Sequence, residues 1–511
     1  MDNIYILKHV IDKQLAKKRG KLFAFFVDLK AAFDMVDRGR LWEAMEKSGI
    51  EKGLIARVKE IYRRSKCTIR VGEEVSEEFF TEMGVRQGCP LSPTLFAILI
   101  SDIEEEFRKA QAGGVVVGRE KFWTLAYADD LVLVTNDERE MQEMMKTLER
   151  YLRRKKLTLN VEKSKMMKFK KGGGNERKIE RRWEGRPVEE VKEFVYLGFR
   201  LKRNGKDEEH IKDRAKRGNI LIRQVWGLGE RRLNQDFRMR MMLFDYLIAS
   251  VILYGAEIWG WKECPPLERI QERYIRWTLG LDACTPGYIV MEETKRDKIE
   301  LKAGLRAIRF EKKIKESQGM TLLKECLKER EKLTKTEGQQ EREKFYNKHG
   351  YSRQGVGLEE IRGMKIEDLI EKRSREIQKQ EYRERIERAR YNPRYKDLIT
   401  IKTPRYLLRS DRKRDIKSIA RLRCGNEEEK NRYWLTEEKR TCSLCGRRQG
   451  SLEHLLRECE RGMGGGIRIA DSLDDLGNKE AIKWIGMIKK ERDRVNKERE
   501  QERDNAHASE S

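Results

Sequence analysis

Leu125-Ala126-Tyr127-Ala128-Asp129-Asp130-Leu131-Val132-Leu133-Val134 is the stretch on which the fold turns. Two apolar segments flank a tight turn, and the turn carries two adjacent carboxylates. Solvated turns favour Asp, yet they seldom lie between such uniformly apolar flanks. A third carboxylate, Asp28, ends the Phe-rich run Leu22–Leu29, where a charge is costly unless it faces a site. If these strand ends lie side by side in one sheet, three carboxylates converge. Their repulsion then calls for cations, and hard oxygen ligands select magnesium. Two such ions roughly 3.5–4 Å apart can activate an attacking 3′-hydroxyl and stabilise a leaving pyrophosphate. A surface turn with an unrelated strand-end Asp fits the spacing equally well, so both readings stay open at this level.

Working outward, the 511 residues contain 114 Lys plus Arg against 88 Asp plus Glu, a net charge of +26. So large an excess favours a polyanionic partner, most simply nucleic acid. The apolar fraction is 38% while 40% of residues are charged, which fits long solvated helices attached to a smaller compact part. Nine Cys in a chain of this length argue against a disulfide scaffold and for a reducing compartment. No signal peptide is visible, since the N-terminus reads as an amphipathic helix. The best apolar run, Leu247–Ala256, is too short to span a bilayer and reads as a buried core helix.

Periodicity predicts mixed strands and helices up to about Gly174. Helical spacing covers Arg40–Lys47, Leu54–Arg64, Ser92–Lys109 and Glu138–Lys155. Strands are expected at Leu22–Leu29, at Cys67–Val71 and Glu78–Met83 around Gly72, at Phe122–Thr135 as a pair, and at Lys165–Lys170. Gly172-Gly173-Gly174 forms a turn, and a second hairpin leads from Val188 to Phe199. From about Asp207 to Glu325 the pattern is helical, with Trp226, Phe237, Leu243, Tyr246, Trp259 and Trp277 as core anchors. Ile366–Arg390 reads as a solvated or weakly coiled-coil helix, and Asp504–Ser511 as a disordered end.

Five segments together resemble the reverse transcriptase family. Phe26-Val27-Asp28-Leu29-Lys30-Ala31-Ala32-Phe33-Asp34 resembles motif A, Gly84-Val85-Arg86-Gln87-Gly88-Cys89-Pro90-Leu91-Ser92-Pro93 motif B, and Tyr127-Ala128-Asp129-Asp130 motif C. Asn160-Val161-Glu162-Lys163-Ser164-Lys165 is similar to motif D and Phe194-Val195-Tyr196-Leu197-Gly198 to motif E, the primer grip. They occur in the family's order over roughly the first 200 residues. The wording of motifs A and B is closest to non-long-terminal-repeat (LINE-type) retrotransposons, which prime synthesis at a nick in target DNA.

The resemblance implies that Asp28, Asp129 and Asp130 hold two magnesium ions. It makes Phe33 a steric gate against a ribose 2′-hydroxyl, though Phe33 also suits a core position at helical spacing from Leu29. Arg86, Gln87 and Gly88 would line the incoming nucleotide and template, Tyr127 would pack beside the primer end, and Tyr196, Leu197 and Gly198 would grip the primer. Lys163 matches the motif D base that neutralises pyrophosphate; in so basic a chain it also fits a plain surface residue. The implied partners are an RNA template, a DNA primer or target and deoxynucleoside triphosphates, with no membrane. The implied location is a cytoplasmic ribonucleoprotein and the nucleus.

Near the C-terminus, Cys442, Cys445, His454 and Cys459 form C-x2-C-x8-H-x4-C. Three thiolates and an imidazole suit a closed, structural zinc site with no open catalytic position. The cluster looks like the zinc knuckle of the same retrotransposons, and Arg447, Arg448, Arg457 and Arg461 fit either phosphate contact or a solvated surface.

The expected architecture is α+β: a right-hand polymerase palm with partial fingers over residues 1–205 and a helical thumb over 206–330. A charged helical linker over 331–435, a zinc knuckle over 436–465 and a polar tail over 466–511 complete it. Family members carry further fingers segments ahead of Met1, and no endonuclease is recognisable, so an N-terminally truncated reading frame is expected. The alternative is a catalytically inactive remnant that only binds nucleic acid.

Overall fold

The computed structural model describes residues 1–63, 66–172, 181–233, 236–333, 336–352, 363–408, 416–462 and 479–509. The Gly172-Gly173-Gly174 turn therefore lies mostly outside the described residues. Two compact units divide the chain. Residues 1–210, 257–259 and 309–344 form the first, and 211–256, 260–308 and 345–511 the second.

The first unit is built on a six-stranded sheet. Its strands are β1 (Lys21–Val27), β2 (Thr124–Tyr127), β3 (Asp130–Thr135), β4 (Lys165–Lys170), β5 (Arg181–Trp183) and β6 (Arg186–Val191), in the order β5-β6-β4-β1-β3-β2. β1 lies between antiparallel neighbours, with Phe25 paired to Leu133 on one side and to Met166 on the other. Every residue of β1 after Lys21 is buried, which explains its near-continuous apolar run. Phe23, Phe25 and Val27 join a core with Phe96, Phe107, Met144, Leu148 and Tyr151.

The helix Glu138–Lys155 supplies part of that core. Asp137 caps its N-terminus by accepting from Arg139 and Glu140 N–H, while Met141, Met144, Met145, Leu148, Tyr151 and Leu152 form the buried stripe. Arg153, Arg154 and Lys155 in the last turn complement the helix dipole. Expected Ser92–Lys109 is two helices, Ser92–Leu99 and Ile103–Ala110. Between them Asp102 turns inward to accept Tyr151 Oη at 2.6 Å and Lys155 Nζ at 2.9 Å. Around Gly72 the expected strand pair is divided into Lys66–Cys67 on Phe79–Phe80 and Arg70–Val71 on Glu74–Val75.

The hairpin expected from Val188 starts later. β6 belongs to the main sheet, running parallel to β4. The hairpin is formed by β7 (Glu193–Tyr196) and β8 (Phe199–Lys202). Its two-residue loop, Leu197-Gly198, has positive φ at both positions, 47° and 77°, as the tightest hairpin turns require.

The helix Thr321–Lys332, placed with the thumb by sequence, packs on the N-terminal helix Asp2–Leu15 in this first unit. Glu329 joins them, accepting from Lys13 Nζ at 2.8 Å and Gly118 N at 2.7 Å and lying 3.0 Å from His9 Nε2. Although burial opposes ionisation, these hydrogen bonds hold the Glu329 carboxyl at about 2. The first unit breaks at 210, near the expected 206, while residues 309–330, expected with the thumb, fall in the first unit.

The second unit is helical in its described part, apart from an isolated bridge between Thr441 and Gln449. Two expected anchors are exposed: Tyr246 at 70% and Trp277 at 37%. A π-helical segment, Phe244–Ile248, inserts a residue into the helical phase and buries Phe244 and Ile248 in place of Tyr246. Trp277 instead packs at a tilt against Trp226, 5.0 Å between ring centroids. The apolar run Leu247–Ala256 is not one helix either, since Gly255, at φ 78°, breaks it after Ala249–Ile252. Nor is Ile366–Glu387 merely solvated: Ile366 and Ile370 pack with Trp261, Leu305 and Phe345.

In place of a disordered end, a helix spans Lys479–Ser509. Trp484, Ile485, Ile488 and Val495 on this helix cluster with Leu444, Leu452, Leu455 and Leu456 around the Cys/His segment. Among the described residues no helix is long and apolar enough to cross a membrane.

Candidate active site and metal centres

The sheet register brings Asp28, Asp129 and Asp130 to one edge of the sheet, at the ends of β1, β2 and β3. Val27 pairs with Leu131 and Tyr127 with Asp130. One step past the last β1–β3 pair, Asp28 comes level with Asp130, and Asp129 occupies the adjoining turn. The loop between β2 and β3 is only Ala128-Asp129, and Ala128 adopts φ 52°. A left-handed non-glycine residue costs roughly 1–2 kcal/mol, strain of a kind that clusters at functional sites. Burial raises the Asp130 carboxyl above its ordinary value, and the charges of Asp129 and Asp28 raise it further. Asp130 therefore feels the charges of the other two. Unrelated surface carboxylates would not.

Other site residues surround this edge. Phe33 is half-buried, its ring centroid 5.4 Å from that of Phe96, so it packs against the core. Gln87 Nε2 donates to both oxygens of Asp34, at 3.1 and 3.0 Å. Gly84 N and Val85 N donate to the carbonyls of Val36 and Phe33, each at 2.8 Å, which ties the Gln87 loop to the Asp28 segment. Gly84 is at φ 80°, and a Cβ there would lie 2.8 Å from the Asp34 carbonyl oxygen. Gly88, also at φ 80°, has nothing within 4 Å of the Cβ position, so its backbone is open to approach. Arg86 Nη2 donates to the Ile61 carbonyl at 2.9 Å. Tyr127 is 63% exposed beside the carboxylates. Lys163 is exposed, with its N–H donating to Asn160 Oδ1 at 3.3 Å.

The β7–β8 hairpin joins the same edge through aromatic packing. Phe26, on the face of β1 opposite Phe25, stacks on Phe194 at 4.2 Å and lies 5.6 Å from Tyr196. Burial pushes the Tyr196 hydroxyl up; Asn3 opposes the shift and the Asp130 charge adds to it. Tyr196 is thus within electrostatic reach of the carboxylates.

Three residues were missed by sequence reasoning. Asp34 orients Gln87. Arg38 donates to the carbonyls of Gly84 and Met83, both at 3.0 Å, and of Tyr62 at 3.2 Å. Ser164 accepts Asp28 N–H at 3.0 Å. Asp34 and Ser164 fall inside the motif A and motif D segments and Arg38 just past the first, and that position was their only signal.

In the second unit, one ligand atom from each of Cys442, Cys445, His454 and Cys459 lies within 4.8 Å of the others. Cys442 Sγ is 3.8 Å from Cys459 Sγ, and Cys445 Sγ is 3.2 Å from His454 Nε2. Gly446, at φ 69°, lets the loop turn back, its N–H donating to the Cys442 carbonyl at 2.8 Å. Burial raises the Cys442 and Cys459 thiols. Against burial, the Arg447 N–H and the His454 ring lower Cys445 to about 7. Glu458 Oε2 lies 3.4 Å from the other ring nitrogen, Nδ1, of His454, a partner that would fix the tautomer of a metal ligand. Arg447, Arg448, Arg457 and Arg461 each pair with an acidic side chain, Glu460, Glu458, Glu453 and Glu498. Such exposed pairs contribute at most about 1 kcal/mol, so a phosphate can compete for them.

Known proteins give the site its context. Residues 2–201 match the family "Reverse transcriptase (RNA-dependent DNA polymerase)". A Pol polyprotein from the type-1 retrotransposable element R2 of Popillia japonica is 31% identical over 162 residues, 32% of this chain and 26% of that protein. The transposon TX1 149 kDa protein of Xenopus laevis is 27% identical over 165 residues, 32% of this chain and 12% of that protein. The RNA-directed DNA polymerase from the mobile element jockey of Drosophila melanogaster is 22% identical over 300 residues, 57% of this chain and 32% of that protein. The matched segments span about a third or less of these curated relatives.

Proposed function

Residues 2–201 are a reverse-transcriptase domain of the non-LTR retrotransposon class, and on that premise we propose that this chain is an RNA-directed DNA polymerase. It adds deoxynucleotides to a DNA 3′ end on an RNA template. The observation that carries the reading is the convergence of Asp28, Asp129 and Asp130 at one sheet edge, with Asp130 raised by burial and by the other two charges. A protein that only bound nucleic acid would gain nothing from concentrating negative charge there.

The donor set suits hard divalent cations, and Asp28, Asp129 and Asp130 would hold two magnesium ions. Bound there, the ions would lower the charge cost of in-line attack by a primer 3′-hydroxyl on the α-phosphate of a triphosphate. Phe33 would close the sugar side of the nucleotide site against a 2′-hydroxyl. Gln87, held by Asp34, and Gly88, with open space at its Cβ, would accommodate the base and template. Tyr127 and the Tyr196-Leu197-Gly198 turn would seat the primer end, and Lys163 and Arg86 would offer cations to phosphates. The +26 net charge supports binding of template and primer. Cys442, Cys445, His454 and Cys459 would hold a structural zinc ion, since four protein ligands leave no open position.

The test is extension of a DNA primer annealed to RNA by the purified full chain with magnesium and deoxynucleoside triphosphates. Template-directed extension is expected. A folded chain that shifts the primer–template duplex in a gel yet never extends it would overturn the enzymatic reading.

A further inference from the structure

Asp28 lies one residue past the last ladder pair of β1, where the sheet no longer holds its backbone. The segment Thr158–Ser164 holds it instead. Lys30 N–H donates to the Thr158 carbonyl and Asn160 N–H to the Asp28 carbonyl, both at 2.8 Å. Leu29 and Leu159 form an antiparallel bridge between them. The Asp28 N–H would be left over, and Ser164 Oγ accepts it at 3.0 Å. Ser164 is wholly buried. Its own N–H donates to the Asn160 carbonyl at 2.9 Å, which closes a ring: Asp28 N–H to Ser164, Ser164 N–H to Asn160, Asn160 N–H to Asp28. Both backbone groups of Asp28 are therefore fixed by one turn.

We propose that Ser164 is a positioning residue whose hydroxyl fixes the Asp28 backbone so that its carboxylate stays aimed at the metal site beside Asp129 and Asp130. The proposal rests on the reading of Asp28 as a metal ligand. Three like charges at one edge repel one another, and a strand-end residue with a loose backbone would swing away from the other two. An acceptor on the Asp28 N–H removes that freedom. Replacing Ser164 by Ala leaves the N–H without a partner, which backbone movement alone can relieve. Second-sphere hydrogen bonds of this kind typically alter metal affinity by about 10- to 100-fold when removed.

The experiment is a magnesium titration of the full chain, followed by the rise in melting temperature and, separately, by primer extension. Ser164→Ala is expected to raise the half-saturating magnesium concentration about 10-fold or more in both readouts. Extension at saturating magnesium should stay near that of the parent chain. Ser164→Thr, which keeps the hydroxyl, should restore the parent value, and Ser164→Cys, a weaker acceptor of similar size, should fall between. An unchanged half-saturation in Ser164→Ala, or in Ser164→Cys if the alanine variant does not fold, would overturn the proposal. So would equal loss of extension at every magnesium concentration, which marks a purely structural role. Asp28→Asn separates the two claims. If it keeps the full magnesium-dependent melting shift, Asp28 is not a metal ligand and the underlying reading fails, whatever Ser164 does.

Discussion

At Asp130, burial and the charges of Asp129 and Asp28 favour the protonated carboxyl. The sign of the consequence follows from linkage. A carboxyl raised in the folded state binds its proton more tightly there than in the unfolded chain. The associated stability is complete below the unfolded value, about 4, and is lost as pH rises through the folded one. Asp130→Asn removes the repulsion, so the metal-free variant should melt above the parent chain at pH 7. A rise of about 1–2 °C is expected, kept small because Asp130 is only partly buried and solvent screens it. The difference should shrink toward pH 4, and saturating magnesium should cancel it at pH 7. Calorimetric scans at the two pH values, with and without magnesium, check this. Phe33 makes a second prediction at this scale. Phe33→Ala should admit ribonucleotides at least about 10-fold better relative to deoxynucleotides, the modest factor expected when only a steric contact discriminates. Unchanged sugar selectivity would remove Phe33 from the gate. Asp28, Asp129 and Asp130 stood out in the sequence as charges on apolar strand ends, and the motif resemblance rather than the spacing made them candidate ligands. Ser164, Asp34 and Arg38 did not stand out, because their roles rest on hydrogen bonds across long stretches of chain, which no local pattern encodes.

Elements built on strict periodicity matched expectation most closely. Glu138–Lys155 and Lys165–Lys170 have the expected ends, since an Asp cap, a Met and Leu stripe and a short strand buried from Met166 to Lys170 all leave local signals. Departures occurred where non-local contacts shift the chain. Asp102 interrupts a helix to reach Tyr151 and Lys155, and the π-helical turn at Phe244–Ile248 rotates Tyr246 into solvent. The β7–β8 hairpin yields a prediction of its own. Its stacking contact, Phe26 on Phe194, resembles aromatic pairs worth about 0.5–1.5 kcal/mol beyond burial. Phe194→Ala should weaken primer–template binding about 2- to 10-fold, with a smaller change in the extension rate at saturating primer. A fall in rate with unchanged affinity would remove the hairpin from primer binding.

At the scale of the whole molecule, the Cys/His cluster and the helix Lys479–Ser509 share one core. Composition alone made that helix look like a solvated tail, because its apolar residues crowd into the first ten positions and the rest is almost entirely charged or polar. Trp484 nevertheless packs into the cluster, and its Nε1 donates to the Gly462 carbonyl at 3.1 Å. Trp484→Ala should destabilise this region by about 3–5 kcal/mol and speed zinc release to a chelator; unchanged release kinetics would mean the knuckle folds without the helix. The reverse-transcriptase domain should keep its magnesium-dependent melting shift in that variant, since its carboxylates belong to the other compact unit. The most direct measurement of the central claim is RNA-templated primer extension by the full chain beside its Asp28→Asn, Asp129→Asn and Asp130→Asn variants. Extension by the parent chain is expected, with a loss of at least about 100- to 1000-fold in each variant, the scale seen when one group stabilising transition-state charge is removed. Extension surviving at the parent rate in any of the three would contradict the central claim.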